Sequence, residues 1–253
     1  MVVIGGGRVG RGLEARAAER GVPCDVVTRD AGWDYLKSPP GSPILVAVPV
    51  AALQSVLVRV PMSRHEDLVF VQNGRIAPWL GENGLQGNTR GILFFGASGG
   101  GAPLQIGPPS PFCGPHATAM VYWFERLDLP ARIASWPGFL GAELEKMLWL
   151  ASFGLMCTRY DCDVGTVLAE HRAEHAALVE ELAVVARVGI GIEAPPGYWV
   201  AQLRAYGEVL STWKVSLKEW SFRNGWFIDQ ARRWHVPIPI HDGLTRVIGG
   251  SFR

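Results

Sequence analysis

Short β-branched runs alternate with amphipathic stretches through the first half of the chain. Strands are predicted at residues 2–4, 25–28, 44–48 and 68–71, with helices over 8–20 and 51–59 between them. Further strands are expected at 91–95 and 103–106, on either side of the glycine loop 96–101. Residues 106–115 carry several prolines and glycines and read as an irregular surface loop. A helix at 117–126 and a short strand at 132–134 complete this half. After Trp136-Pro137 the strand pattern stops and only helical periodicity remains, over 139–159, 164–188, 198–234 with interruptions, and 241–248. Strands that alternate with helices imply βαβ units and a mainly parallel sheet. The expected organisation is therefore an α/β domain over residues 1–135 and an all-helical domain over 136–253.

Composition narrows the class. The chain has 253 residues, 48% hydrophobic and 19% charged, which suits packed domains and argues against disorder. Its formal net charge is +1, so no balance for binding nucleic acid is visible. Cys24, Cys113, Cys157 and Cys162 form no CxxC pair and no disulfide framework, and a reducing compartment fits them best. The most apolar run, 147–157, is about half the length of a membrane span. A strand begins at position 2, so no signal peptide is expected in this numbering. The expected location is the cytoplasm, or an organelle interior if a presequence was removed earlier.

The chemistry starts with Gly5-x-Gly7-x-x-Gly10, which sits between the first predicted strand and helix. Such a loop turns tightly at the first glycine and lets backbone approach a pyrophosphate at the second. The third glycine packs the helix close, so that its N-terminal amides face the anion. Gly5, Gly7, Arg8, Val9 and Gly10 are the candidate phosphate-binding residues of a Rossmann-type dinucleotide domain. At the end of the second strand Arg29 suits a ribose 2′-phosphate, while the adjacent Asp30 suits a free 2′-hydroxyl. NADP is favoured over NAD.

Only four lysines occur, and Lys146 alone enters an apolar helix, beside Met147, Leu148 and Trp149. Two readings are open. Its stem could cover apolar surface while the ammonium pairs with Glu143 or Glu145. Alternatively it faces a cleft and protonates a developing alkoxide, as reduction of a ketone requires.

Four marks stand in order along the chain: the glycine loop, Val71-Gln-Asn-Gly74, the lysine helix followed by Cys162-Asp-Val-Gly165, and Lys218-Glu-Trp-Ser-Phe-Arg-Asn-Gly225 with Val236-Pro-Ile-Pro239 beyond. Together they resemble the ketopantoate reductase (2-dehydropantoate 2-reductase) family over nearly the whole length. The resemblance implies a Rossmann-type NADP domain joined to a helical domain of the 6-phosphogluconate dehydrogenase C-terminal type. It implies reduction of a 2-oxo acid in the cleft between the two, and a homodimer or larger assembly through the helical domain. Carried over, Lys146 is the general acid, Glu219 the carboxylate that holds a substrate hydroxyl, and Asn73 the amide near nicotinamide and substrate. Ser211, Thr212 and Asn224 are candidate substrate contacts, and Arg29 is the 2′-phosphate arginine.

The chain also departs from the family. Leu150, Gly154 and Val164 stand where it usually has asparagines, Pro49 stands for a frequent lysine, and the hairpin after Arg29 is missing. The expectation is an NADPH-dependent reductase of a carbonyl compound more apolar than ketopantoate. The alternative is a reductase-like protein without catalysis, serving as a nucleotide-binding or interaction module. His171 and His175, four apart, are read as a solvated helix face rather than a metal site, and no metal is expected. The ten tryptophans are assigned to core and interface packing.

Overall fold

The computed structural model describes residues 1–37, 39–96 and 104–249. Among these, two compact units are present: residues 1–72 with 76–139, and residues 73–75 with the remainder from Leu140.

The first unit is built on one sheet, whose strands are β1 (Val2–Ile4), β2 (Asp25–Val27), β3 (Ile44–Val46), β4 (Leu68–Phe70), β5 (Arg90–Gly91), β8 (Ser110–Cys113) and β9 (Ala131–Ile133). Their order is β2-β1-β3-β4-β5-β8-β9. The first five strands run parallel, β8 opposes β5, and β9 runs parallel to β8. The central strands β3 and β4 are buried at every position, as expected where both faces of a parallel sheet are covered. On one face Val3, Leu45 and Val69 pack with Leu13 and Ala17 of helix α1 (Arg8–Glu19) and with Met120 and Phe124 of helix α4 (Ala117–Arg126). Helices α2 (Leu53–Arg59) and α3 (Ala77–Glu82) complete the unit, and Trp79 of α3 meets Phe70 of β4 edge-on.

The span 106–115 departs from its predicted irregular loop. Its residues Ser110–Cys113 form β8, inside the sheet, with Phe112 wholly buried. Pro111 is tolerated because its carbonyl still accepts from the Ile92 amide at 3.1 Å, while the Phe112 carbonyl accepts from the Ala134 amide at 2.8 Å. The strand expected at 91–95 is divided: Arg90–Gly91 joins the main sheet, and Phe95–Gly96 (β6) pairs with Gln105–Ile106 (β7) as a separate antiparallel ribbon. Most of the predicted glycine loop 96–101, and residue 103, lie outside the described residues.

The second unit is helical. Helix α5 (Trp136–Tyr160) enters it from Leu140 onward. Leu144, Met147, Leu148, Ala151, Phe153, Leu155 and Met156 are all wholly buried, so this helix is covered on every side. The single helix predicted at 164–188 is two: α6 (Val164–Glu170), capped by Asp163 accepting from the Thr166 amide, and α7 (Arg172–Ile190). Helices α8 (Tyr198–Val209), α9 (Asn224–Trp234) and α10 (Pro239–Ile248) follow. Among the described residues no helix is long and apolar enough to cross a membrane.

Candidate active site

In the first unit the chain passes from β1 to β2 on one side and returns to β3 on the other. The carboxyl ends of β1 and β3 therefore form a topological switch point, the place where open α/β sheets take ligands. Gly5 stands there with φ of +130°, and a Cβ on it would lie 2.5 Å from the Ala47 carbonyl oxygen. A Cβ on Gly10 would overlap the Gly5 carbonyl oxygen, so only glycine lets α1 start this close to the strand. Gly7 is different, since nothing lies within 4 Å of where its Cβ would be. It is the N-cap of α1, with no side-chain cap and no acidic residue in the first turn. The first-turn amides and the positive end of the helix thus face open space, which fits a dinucleotide pyrophosphate. Arg8 is exposed and Val9 half-buried beside this opening.

The end of β2 carries a feature the sequence reading missed. Arg29 is exposed, and its carbonyl accepts from Arg59 Nη1 at 2.6 Å. The Arg59 guanidinium lies 3.7 Å over the Trp33 ring, a cation–π stack that fixes it beside Arg29. Two arginines therefore stand side by side at the end of β2. The signal was hidden because Arg59 closes a helix elsewhere in the sequence. At the ends of β3 and β4, Gln72 Nε2 donates to the carbonyls of Val46 at 2.8 Å and Val48 at 3.1 Å.

The three residues after Gln72 belong to the second unit. Gly74 has φ of +91°, and any Cβ there would run into the Phe222 carbonyl oxygen. That same oxygen accepts from the Arg75 amide at 3.0 Å, and the Arg75 guanidinium pairs with buried Glu143 of α5. This turn holds half-buried Asn73 in one unit with Lys146 and Glu219.

Lys146 is buried. Its Nζ donates to the Tyr206 hydroxyl of α8 at 3.1 Å and lies 5.0 Å from the Tyr206 ring and 5.5 Å from the Trp149 ring. Glu143, one of the two carboxylates considered beside this lysine, receives the Arg75 guanidinium. Burial, and then the nearby Arg223 cation, push the Lys146 ammonium down to about 8, against a partial opposing pull from Glu145. Burial also raises the Tyr206 phenol above its usual range.

Glu219 has a left-handed backbone (φ of +48°), a costly conformation for a residue with a Cβ. Its carboxylate accepts from Arg223 Nη2 at 2.7 Å, and the Arg223 side chain is only 8% exposed. Arg223 went unremarked in the sequence because it reads there as one more charged residue in a helix start. Ser211 is half-buried, with its carbonyl accepting from the Gly165 amide at 2.7 Å, and Thr212 is exposed. Asn224 is buried with its Oδ1 at 3.0 Å from His241 Nε2, so that amide oxygen serves the interior of the helical unit.

The positions that depart from the family pattern are apolar surroundings. Val164 is wholly buried, and a Cβ on Gly154 would meet Leu217 at 3.2 Å. His175 corrects the reading of a solvated helix face. It is 2% exposed and bonded to Ser152 at 3.0 Å, while His171 stacks on Tyr160 with ring centroids 3.6 Å apart. The two imidazoles thus have separate partners, and among the described residues no three His, Cys, Asp or Glu are grouped to hold a metal.

No protein-family profile and no curated protein matches the sequence. The fold is shared with solved structures over nearly the whole chain. A 2-dehydropantoate 2-reductase from Methylococcus capsulatus is 17% identical, with a TM-score of 0.75, covering 96% of this chain and 93% of that one. D-mandelate dehydrogenase in complex with NADH is 14% identical, with a TM-score of 0.75, covering 98% and 96%. The dimeric ketopantoate reductase from Staphylococcus aureus is 14% identical, with a TM-score of 0.71, covering 98% and 96%.

Proposed function

We propose that the chain is a divergent relative of the ketopantoate reductases and an NADPH-dependent reductase of a small 2-oxo acid or related carbonyl compound. The fold shared with ketopantoate reductases and D-mandelate dehydrogenase supports this reading, together with the glycine cradle of the first unit. The observation that carries it is Lys146, a buried ammonium bonded to Tyr206 and held near 8. A bound dihydronicotinamide supplies the hydride that reaches the carbonyl carbon.

Binding the nucleotide falls to the first unit and proton donation to the second. Gly5, Gly7, Arg8, Val9 and Gly10 hold the pyrophosphate, and Arg29 with Arg59 reads the 2′-phosphate. The carbonyl oxygen gains negative charge as its carbon is reduced. The Lys146 ammonium stabilises that charge and gives the oxygen its proton. An ammonium near 8 is still mostly charged at neutral pH, yet is a far better proton donor than a solvated lysine. Glu219 and Asn73 hold polar groups of the substrate. The absence of polar side chains at Leu150, Gly154 and Val164 supports a substrate less polar than ketopantoate. A homodimer is the proposed assembly, by analogy with the dimeric relative.

The test is NADPH oxidation against a panel of 2-oxo acids, with NADH alongside. One substrate turned over by the wild type and lost in Lys146→Ala supports the reading. Full turnover in that variant removes Lys146 as the acid. A second reading, a nucleotide-binding protein without catalysis, is favoured by the closure of Gly154 under Leu217. It predicts that NADPH raises the melting temperature while the whole panel stays inert.

A further inference from the structure

We propose that Arg223 is the carboxylate receptor of the helical unit. It takes the carboxylate of an anionic substrate on the guanidinium nitrogens that Glu219 leaves uncommitted, near the Lys146 ammonium. The inference rests on the reductase reading for its substrate, and it narrows "carbonyl compound" to a 2-oxo acid with a free carboxylate.

A guanidinium has five N–H donors in a planar fork. Arg223 commits Nη2 to Glu219 at 2.7 Å, while its Nε is buried and meets no acceptor among the described residues. A buried, uncompensated donor on a side chain 92% covered is a poor structural choice unless something else fills the fork.

Charge points the same way. The Arg223 cation opposes protonation of Lys146, and burial pushes Arg223 itself down against the opposing pull of Glu219. An anion taken on the free edge of the Arg223 fork favours the charged form of both groups. A carboxylate matches the fork in shape and charge, whereas an ester or aldehyde offers neither. The anchor is also aptly placed, because a 2-oxo acid carries its reacting carbonyl next to its carboxylate. Fixing the carboxylate on Arg223 therefore presents the carbonyl oxygen toward the neighbouring ammonium.

The experiment is calorimetric binding to the full chain with NADPH present, using oxamate, which is not reduced, and its neutral ethyl ester. Arg223→Met should weaken oxamate at least thirtyfold and leave the ester within twofold of wild type. Arg223→Lys, which keeps the charge and loses the fork, should weaken oxamate about tenfold, and decides the matter if the methionine variant does not fold. Unchanged oxamate affinity in the folded variants overturns the proposal, as does a wild type that binds oxamate no better than ester. NADPH oxidation is read separately. Arg223-dependent oxamate binding without turnover of any 2-oxo acid removes the reductase reading alone. Turnover with Arg223-independent binding removes only the receptor.

Discussion

The Lys146 ammonium donates to the Tyr206 hydroxyl across 3.1 Å, with both side chains buried. The pair joins α5 to α8 and gives the ammonium a fixed direction. Because Lys146 lies below its ordinary value of 10.5, at about 8, its charged form is the one the fold disfavours. Stability therefore rises as pH climbs from about 8 toward 10.5, while the proton needed for catalysis is lost over the same range. The prediction is that kcat/KM falls tenfold per pH unit above about 8. A flat profile to pH 10 would remove Lys146 as the acid.

Tyr206→Phe deletes the hydroxyl that accepts from the ammonium and leaves the aromatic packing in place. The ammonium then loses a hydrogen bond worth about 1 kcal/mol or more, since one partner is charged. The alkaline limb of the pH–rate profile should move down by roughly one unit. No movement of that limb would mean the hydroxyl does not support the charge.

Gly7 and Gly10 separate a binding glycine from a folding one. Gly10→Ala would force the added carbon onto the Gly5 carbonyl oxygen and should lower the melting temperature of the unliganded protein. Gly7→Ala enters open space, so the unliganded melting temperature should hold while the NADPH-induced rise disappears. Equal behaviour of the two variants in thermal melts would remove the cradle as a nucleotide site.

Gly74→Ala combines a positive φ with a collision on the Phe222 carbonyl. Denaturant unfolding should show a loss of about 2 kcal/mol or more. Asn73 shares this turn, so kcat should drop in the same variant even where the protein remains folded.

His175 and His241 are buried and held neutral, each pushed down to about 4 by burial. An unfolded chain takes up their protons near pH 6.5, so stability falls as pH drops from 6.5 toward 4. The loss is on the order of 3 kcal/mol per histidine. Paired replacement of Ser152 by Ala and His175 by Phe should flatten part of this slope in unfolding measured between pH 7 and pH 4.5. An unchanged slope would assign the acid sensitivity elsewhere.

Features that depend on near neighbours along the chain were legible before any folding was known. The alternation of β-branched runs and helical stretches gives the parallel half of the sheet, because period and burial are local properties. Gly5, Gly7 and Gly10 are legible for the same reason, since their turn, opening and close packing all occur within one βα unit. Lys146 could be singled out as an ammonium in an apolar helix.

What that ammonium meets is set by contacts between distant parts of the chain. Tyr206 and Arg223 are set around Lys146 by the packing of helices far apart in sequence, and Arg75 reaches Glu143 from a turn that belongs to the second unit. β8 stayed hidden because Pro111 argues locally against a strand, and its place is set by partners β5 and β9. His175 read as solvated among acidic neighbours until the bond to Ser152 turned it inward. Burial and long-range pairing fix charge states, and neither is encoded in any one stretch of the chain.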